Sequence, residues 1–389
     1  MQIIYGCTNC TSNLFNQIFK ERNITVSIAA QKYHGLLIKG LAEKGVNVTC
    51  LSGLPINRLV TSKKWISFPD ETEGNAHYHY YKTLNLPIFR QLMIFCGAFF
   101  NTLKIKKTNE IYALCDCLNI ANAYGMAIAC KLRKIPLITI VTDLPDMMSS
   151  GMTRRINNNF FNLVDGYILL TEQMNERVNL KNKPYLVLEG HVDSELIVPK
   201  DIDRHETVIG KKVVLYAGSL LKLYGIQNLV EGFIKADITD SELHIYGYGD
   251  YSEDLVELAK KHSNVIYYGV RPNAEIVEDE LKSALLVNPR PVAPEYTKYS
   301  FPSKNMEYMV SGTPVLTTKL PGMPTEYYPH GYLLEEETPR GISEKLQEIF
   351  KAPIEFREEK GLAAREFVLS CKTNVAQAKK IIEFMQEKY

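Results

Sequence analysis

Val213-Val214-Leu215-Tyr216-Ala217-Gly218-Ser219-Leu220-Leu221-Lys222-Leu223-Tyr224-Gly225 opens as an unbroken apolar run and closes in a turn bounded by two glycines. The run reads as a buried strand, and a helical pattern follows from about Gly225 to Ala236. Leu243 to Gly247 is the next strand, followed by a helix from about Ser252. Val265 to Gly269, Leu285 to Asn288 and Pro314 to Thr318 repeat the strand signal. Short strands alternating with helices specify βα units and a parallel sheet.

The same alternation extends toward the N-terminus. Ile3 to Tyr5 is a strand, and a long connection leads to about Gln31. Lys32 to Lys44 carries Leu36, Leu37, Leu41 and Ala42 at helical spacing. Val46 to Leu51, Ile111 to Leu114, Leu137 to Val141, Gly166 to Leu170 and Tyr185 to Leu188 continue the strand series. The polar stretch from Glu189 to Gly210, with Pro199, reads as a linker, and about Asn374 to Lys388 as one long helix. A chain of 389 residues has the length of two domains, each able to bury a core. The expectation is therefore α/β, with two doubly wound sheets facing across a cleft. Ligands of such sheets bind outside the carboxyl ends of the strands.

Composition narrows the partners. The formal net charge is +1. Residues 1–200 hold 22 Lys+Arg against 15 Asp+Glu, whereas residues 201–389 hold 23 against 29. An excess of one sign on one half suits a membrane or polyanion surface. The basic residues are not interleaved with aromatic RNA-reading motifs, which argues against nucleic acid. The N-terminus reads as a first strand and not as a signal peptide, and the longest apolar block, Leu92 to Phe100, is far short of a membrane span. Eight cysteines in a chain this long do not form a disulfide scaffold, so free thiols and a cytoplasmic protein are expected. Cys7 and Cys10 form a C-x-x-C after a strand. That spacing has a redox reading, and a plainer one as small buried side chains.

Two places suit phosphate. After Gly218, a strand, a glycine turn and a helix N-terminus present free N–H groups to an anion, and Lys222 can add charge. The plainer reading is a tight βα turn made by Gly218 and Gly225. No G-x-G-x-x-G and no G-x-x-x-x-G-K-[ST] is present, so dinucleotide and P-loop readings are weak. The second place is Asn288-Pro289-Arg290-Pro291 with Tyr299 to Met309. Pro302 suits a first helical turn, so Ser303 and Lys304 open a helix, with Arg290 close to its free N–H groups and Glu307 one turn further along. Glu307 would accept a hydrogen bond from a sugar hydroxyl; otherwise it is a solvated residue on a capped surface helix.

Several runs resemble glycosyltransferase family 4 of the GT-B fold. They are Tyr216-Ala217-Gly218-Ser219, Tyr246-Gly247-Tyr248-Gly249-Asp250, Phe301 to Val315, and Leu320-Pro321-Gly322-Met323-Pro324 with Glu326. In the first half Ala29 to Gly35, Val141-Thr142-Asp143-Leu144-Pro145 and Asp165 to Glu172 are similar to a bacterial surface-polysaccharide branch of that family. The resemblance covers nearly the whole chain and is strongest from 213 to 327. It implies a Rossmann-like acceptor-binding domain over 1–195, a Rossmann-like donor-binding domain over 196–370, and a C-terminal helix, 371–389, crossing back to the first domain.

The implied activity is retaining transfer of a hexose from a UDP- or GDP-sugar to a glycan or polyprenyl-linked saccharide, with no cofactor and no metal. Donor-binding residues on this reading are Gly218, Ser219, Lys222, Tyr246, Gly247, Arg271, Arg290, Ser303, Lys304 and Glu307. Asp143 and Glu307 are the catalytic candidates. Glu307 matches the second acid of the family's E-x7-E motif; Tyr299 stands at the first. Ser219 and Tyr224 stand where the family usually has Arg and Lys. Those departures sustain an alternative, a non-catalytic sugar-nucleotide-binding or scaffolding protein; a GT-B epimerase is another. Pro87 to Lys107 is apolar through Phe100 and basic at its end. It reads either as a helix lying on the inner membrane surface or as a core helix, since its apolar residues run nearly all round.

Overall fold

The computed structural model describes residues 1–20, 28–56, 58, 60–148, 150–196, 202 and 205–389. These form two compact units, one of Met1–Ser194 with Thr373–Tyr389 and one of Glu195–Lys372. Part of the expected linker, Pro199 included, lies outside the described residues.

The first unit runs β1 (Gln2–Cys7), α1 (Ser12–Phe15), α2 (Ile28–Glu43), β2 (Asn47–Ser52), β3 (Trp65–Ile66), β4 (Glu71–Glu73), β5 (Ala76–Tyr80), β6 (Thr83–Leu84) and α3 (Pro87–Lys104). It continues with β7 (Ile111–Asp116), α4 (Ile120–Arg133), β8 (Leu137–Val141), α5 (Pro145–Met148), α6 (Gly151–Phe160), β9 (Gly166–Leu169), α7 (Gln173–Val178) and β10 (Tyr185–Val187). Eight strands form a sheet in the order β10-β9-β8-β7-β1-β2-β5-β4, parallel except for the β4–β5 pair. β7 and β8 are buried along their whole length, as strands covered by helices on both faces must be. The chain steps one way through α2 and the other way through α3, α4 and α6. Right-handed crossovers therefore set α2 on one face of the sheet and the other three helices on the opposite face.

The structure moves one expected helix start and adds a strand. The helix expected from Lys32 begins at Ile28. The strand Ala76–Tyr80 went unread, although Ala76, Tyr78 and Tyr80 are buried and His77 is exposed, a period of two. The Pro87–Lys107 stretch is neither wholly buried nor wholly exposed. Ile94, Ala98 and Thr102 of α3 face the protein, while Ile88, Phe89, Leu92 and Phe100 are more than half exposed.

The C-terminal helix (Asn374–Lys388), which ends the chain, belongs to the first unit, as the sequence implied. It packs on α2 so closely that a β-carbon at Gly40 would lie 2.3 Å from the Asn374 carbonyl oxygen. Ile381, Phe384 and Met385 are buried there, each worth roughly 1.5–3 kcal/mol relative to exposure. The Thr373 side chain caps the helix by accepting from the Ala376 N–H.

The second unit runs α8 (His205–Val208), β11 (Lys212–Ala217), α9 (Ile226–Ala236), β12 (Ser241–Tyr246), α10 (Ser252–Ala259), β13 (Val265–Gly269), α11 (Asn273–Lys282) and β14 (Leu285–Asn288). Then come α12 (Ser303–Ser311), β15 (Val315–Thr318), β16 (Tyr332–Leu334), α13 (Pro339–Lys351) and α14 (Ile354–Cys371); the helix that closes the chain is α15. The sheet order is β13-β12-β11-β14-β15-β16, every pair parallel. The order reverses between β11 and β14, which opens a crevice at their carboxyl ends.

Candidate functional site

The carboxyl ends of β11 and β14 hold most of the sequence-derived donor residues. β11 ends at Ala217, whose N–H donates to Tyr308 Oη at 2.9 Å, while the Tyr308 hydroxyl donates to the Ala217 carbonyl at 3.3 Å. Tyr308 is fully buried on α12, so this double contact pins α12 to the end of β11. Asn288 at the end of β14 donates to Asn305 Oδ1 at 2.7 Å, and Asn305 donates to Thr317 Oγ1 at 3.0 Å. These buried bonds fix the start of α12, and with it Ser303 and Lys304, beside the strand ends.

Glycine makes that end narrow. Gly247 sits at φ +128°, and a β-carbon there would come within 1.8 Å of the Gly218 carbonyl oxygen. Gly225 sits at φ +79°, and a β-carbon there would lie 2.3 Å from the Pro289 oxygen. Only glycine allows both the backbone angle and the approach. Neither α9 nor α12 has a side-chain cap on its N-terminal N–H groups, so both ends remain available to an acceptor.

Two cations accompany these helix starts. The Arg290 guanidinium lies over the Tyr224 ring at 4.7 Å and the Tyr296 ring at 5.8 Å. The Lys304 ammonium lies 5.4 Å from the Tyr308 ring centre, and its Cε is 3.4 Å from where a β-carbon on Gly218 would stand. Neither has a carboxylate within ion-pairing distance among the described residues. Ser219 is exposed beside them, its carbonyl accepting from the Tyr216 hydroxyl at 2.8 Å.

The other expected donor residues stand differently. Lys222 pairs with Asp254 at 2.6 Å, and this partner raises its pKa. The Tyr246 ring stacks on Tyr268 with centroids 4.7 Å apart, and its hydroxyl donates to Asp279 at 3.0 Å. The side chain is thus committed within its own layer, and only the Tyr246 carbonyl reaches the strand end, accepting from Gly218 N–H at 3.0 Å. Arg271 is exposed beyond β13, its Nε donating to the Tyr268 carbonyl at 3.2 Å. Glu307 is exposed one turn into α12.

Sequence reasoning missed Glu280. It lies in the last turn of α11, in a run of acidic residues that reads as a solvated helix, yet it is only 7% exposed. Burial pushes its carboxyl up to about 7, against the pull of Lys304 and with the push of Glu307. A buried acid, a lysine and a second acid thus interact beside the expected donor residues.

In the first unit, Asp143 follows β8 at the carboxyl end of the sheet and is exposed. Desolvation, and then the neighbouring Asp116 carboxylate, raise its pKa. Asp116, the last residue of β7, is 5% exposed and accepts from the Leu118 N–H at 2.9 Å. Its Oδ2 lies 3.7 Å from His34 Nε2, and His34 Nδ1 is 2.8 Å from the Tyr5 hydroxyl. Burial lowers the His34 pKa although Asp116 opposes it. This Tyr5–His34–Asp116 chain was also unread. Its signal was Asp116 itself, a carboxylate directly after an apolar strand.

The cysteine question resolves toward the plainer reading. Cys7 and Cys10 are free and buried, and burial pushes both thiols up to about 12, so neither is a ready thiolate. Among the described residues no group of three or more His, Cys, Asp or Glu is arranged to hold a metal ion. No described helix is long and apolar enough to cross a membrane.

Residues 199–367 match the family model for glycosyl transferases group 1. That match lies within the second unit, Glu195–Lys372. Enzymes of this family use nucleotide sugars and transfer hexoses with retention. Comparison with curated proteins finds no sequence match. Among solved structures, HepE of Anabaena in complex with UDP and glucose is similar at TM-score 0.64 and 14% identity, over 100% of both chains. Sucrose-phosphate synthase from Thermosynechococcus elongatus is similar at TM-score 0.65 and 14% identity, over 99% of this chain and 98% of that one. The lipopolysaccharide outer core galactosyltransferase WaaB gives 0.60 and 14%, over 100% of both. At such identities the likeness establishes the GT-B fold and nothing finer.

Proposed function

We propose that this glycosyltransferase moves a hexose from a UDP-sugar to a glycan or polyprenyl-linked saccharide in surface-polysaccharide synthesis, in the cytoplasm and without a metal. The observation that carries the donor reading is the strand end at Gly218 and Gly247. There two uncapped helix starts and two cations without carboxylate partners surround backbone that only glycine can form. UDP is preferred over GDP because HepE is bound to UDP and to UDP-glucose.

On this reading Arg290, Lys304 and the N–H groups of α9 and α12 hold the diphosphate and take up the charge that develops as it departs. The bond from the anomeric carbon to the phosphate oxygen breaks. The acceptor hydroxyl attacks from the same face, and its proton passes to the departing phosphate oxygen. Glu307 holds a donor hydroxyl, and Asp143 contacts a hydroxyl of the sugar or acceptor. Thermal shift with UDP- and GDP-hexoses tests the donor: a ligand at 100 times its Kd adds roughly 2.7 kcal/mol. Glu307→Gln should lose turnover while keeping the melting transition, and wild-type kinetics in that variant would remove it from the site.

A second reading, a non-catalytic sugar-nucleotide-binding protein, draws on Ser219, Tyr224 and Tyr299 standing where the family usually has Arg, Lys and Glu. Slow hydrolysis of the bound nucleotide sugar by purified protein separates the two, since a binding protein releases no hexose. An epimerase would convert the sugar with no acceptor present.

A further inference from the structure

Three helices of the first unit, α3, α4 and α6, cover one face of its sheet. α3 packs on α4, where a β-carbon at Gly125 would lie 2.4 Å from the Phe95 carbonyl oxygen. α4 reaches α6 through the Tyr124 hydroxyl, which donates to the Ile156 carbonyl at 2.8 Å. The three make one layer with one outer surface.

That surface has an unusual makeup. The helices contain 18, 14 and 10 residues and not one Asp or Glu. They expose Lys104, Lys131, Arg154 and Arg155, and the exposed Lys106, Lys107 and Lys134 follow α3 and α4; Arg90 and Arg133 turn inward to the Ile56 and Thr102 carbonyls. In a chain with 44 acidic residues, the exclusion of carboxylates from this layer leaves a field of one sign. Large apolar side chains stand among the cations. Ile88 is 82% exposed and Met152 78%, and α4 adds Leu132 at 66%. α3 is therefore apolar on its outer face as well as on the face it buries.

A second observation lies at the start of α3. The only tryptophan of the chain, Trp65, is 53% exposed, with the Lys82 ammonium 5.3 Å from its ring centre. Trp65 pairs through β3 with β6, which leads into α3, and the Lys64 carbonyl accepts from Asn85 N–H just before that helix. An exposed indole flanked by lysines is the side-chain chemistry of a headgroup region, where an amphipathic ring meets both water and acyl chains.

We infer that the outer surface of α3, α4 and α6 is a lipid-docking face, seated on a bilayer of anionic headgroups with Trp65 at its edge. The apolar side chains enter the boundary between headgroups and acyl chains, and the cations meet the phosphates above them. This surface belongs to the first unit and the donor residues to the second, so the inference and the donor reading can fail independently.

Trp65 reports the contact without any substitution. Full-length protein mixed at low ionic strength with phosphatidylglycerol vesicles should co-sediment, and its tryptophan emission should shift to the blue. Phosphatidylcholine vesicles should give at least tenfold less binding. Added salt should weaken binding, and Lys104→Gln, Lys106→Gln and Lys107→Gln together should lower it severalfold. The double variant Phe89→Ser, Leu92→Ser should lose most of it while melting like the wild type, because both side chains are solvent-exposed. Protein that stays in the supernatant with phosphatidylglycerol, or sediments equally in the folded variants, overturns the inference. The melting shift given by UDP-hexose in the same preparations tests the donor reading separately.

Discussion

At the carboxyl end of its sheet, the second unit gathers Arg290, Lys304 and uncapped helix starts around glycine backbone. At the same end of its own sheet, the first unit gathers Asp143, Asp116 and a buried His34–Tyr5 pair. Each cluster opposes the charge of its surroundings. The cationic cluster belongs to the acidic half of the sequence and the acidic cluster to the basic half. Net charge is carried mainly by the outer faces of helices, whereas a site is set by what the strand ends bring together. Cations and N–H groups suit phosphate. Carboxylates and imidazole suit hydroxyls, which need acceptors as well as donors. On the proposed function, the second unit's end suits the diphosphate and the first unit's end suits hydroxyls.

The most severe way to break this contrast is Gly247→Ala. The added carbon would overlap the Gly218 carbonyl at an angle that L-residues rarely adopt. The strand end must open, at a cost of roughly 3–5 kcal/mol. The melting temperature should fall sharply and UDP-hexose binding should vanish. An alanine variant that melts and binds like the wild type would show that this backbone does not shape the donor end.

The pH dependence of stability separates the units by sign. Burial holds the Glu280 carboxyl at about 7, above its unfolded value of 4.5. Its contribution is complete below about 4.5 and is lost as pH rises through 7. His191 of the first unit is held down at about 4, against 6.5 unfolded, chiefly by burial. Its contribution is complete above 6.5 and is lost as pH falls through 4. Each shift corresponds to on the order of 3 kcal/mol. The two windows overlap between about 4.5 and 6.5, where the contributions oppose each other. Glu280→Gln should therefore make stability rise more steeply with pH between about 4.5 and 7. A variant whose stability profile over that range matches the wild type would refute the assignment.

Arg290→Ala comes next. Removing a guanidinium that donates to a diphosphate should weaken donor binding by roughly 1.5–3 kcal/mol, read by calorimetry with UDP-hexose. Normal turnover at sub-saturating donor would remove Arg290 from the phosphate site. Arg290→Lys sharpens the point. Lysine keeps the charge but loses the flat cation that Tyr224 and Tyr296 hold between them, so rescue should be partial.

Most of the parallel strands were legible because buried βα strands are continuous apolar runs, as Val213 to Ala217 and Leu137 to Val141 show. Ala76–Tyr80 escaped because its apolar side chains are tyrosines alternating with histidines, which a search for aliphatic runs passes over. The start of α12 was legible from Pro302 and the lysine behind it. Glu280 and the Tyr5–His34–Asp116 chain were not, because their members lie far apart in sequence and only the fold makes them neighbours. Tyr246 shows the converse. Its place at the end of β12 was legible, but not the direction of its ring, which Asp279 and Tyr268 determine from α11 and β13.

The smallest expected effect falls on Lys222, which sequence alone put on the same footing as Arg290. Both follow a strand and precede a helix in the same unit. The fold separates them by their partners. Arg290 rests between two aromatic rings, whereas Lys222 is half exposed and already paired with Asp254 at 2.6 Å. The Lys222 backbone N–H is also taken, by Asp250 at 2.7 Å. To serve a phosphate, Lys222 would have to leave one anion for another, so the gain on binding is the difference between two similar contacts. Exposed pairs of this kind contribute little in either direction. Lys222→Ala should change the affinity for UDP-hexose by roughly twofold or less, and Asp254→Asn, which frees the lysine, should tighten it slightly at low salt. A loss in Lys222→Ala as large as that in Arg290→Ala would mean that the lysine swings from Asp254 to the donor. The clamp would then include a residue that moves, and a carboxylate partner would not keep a cation out of the donor site.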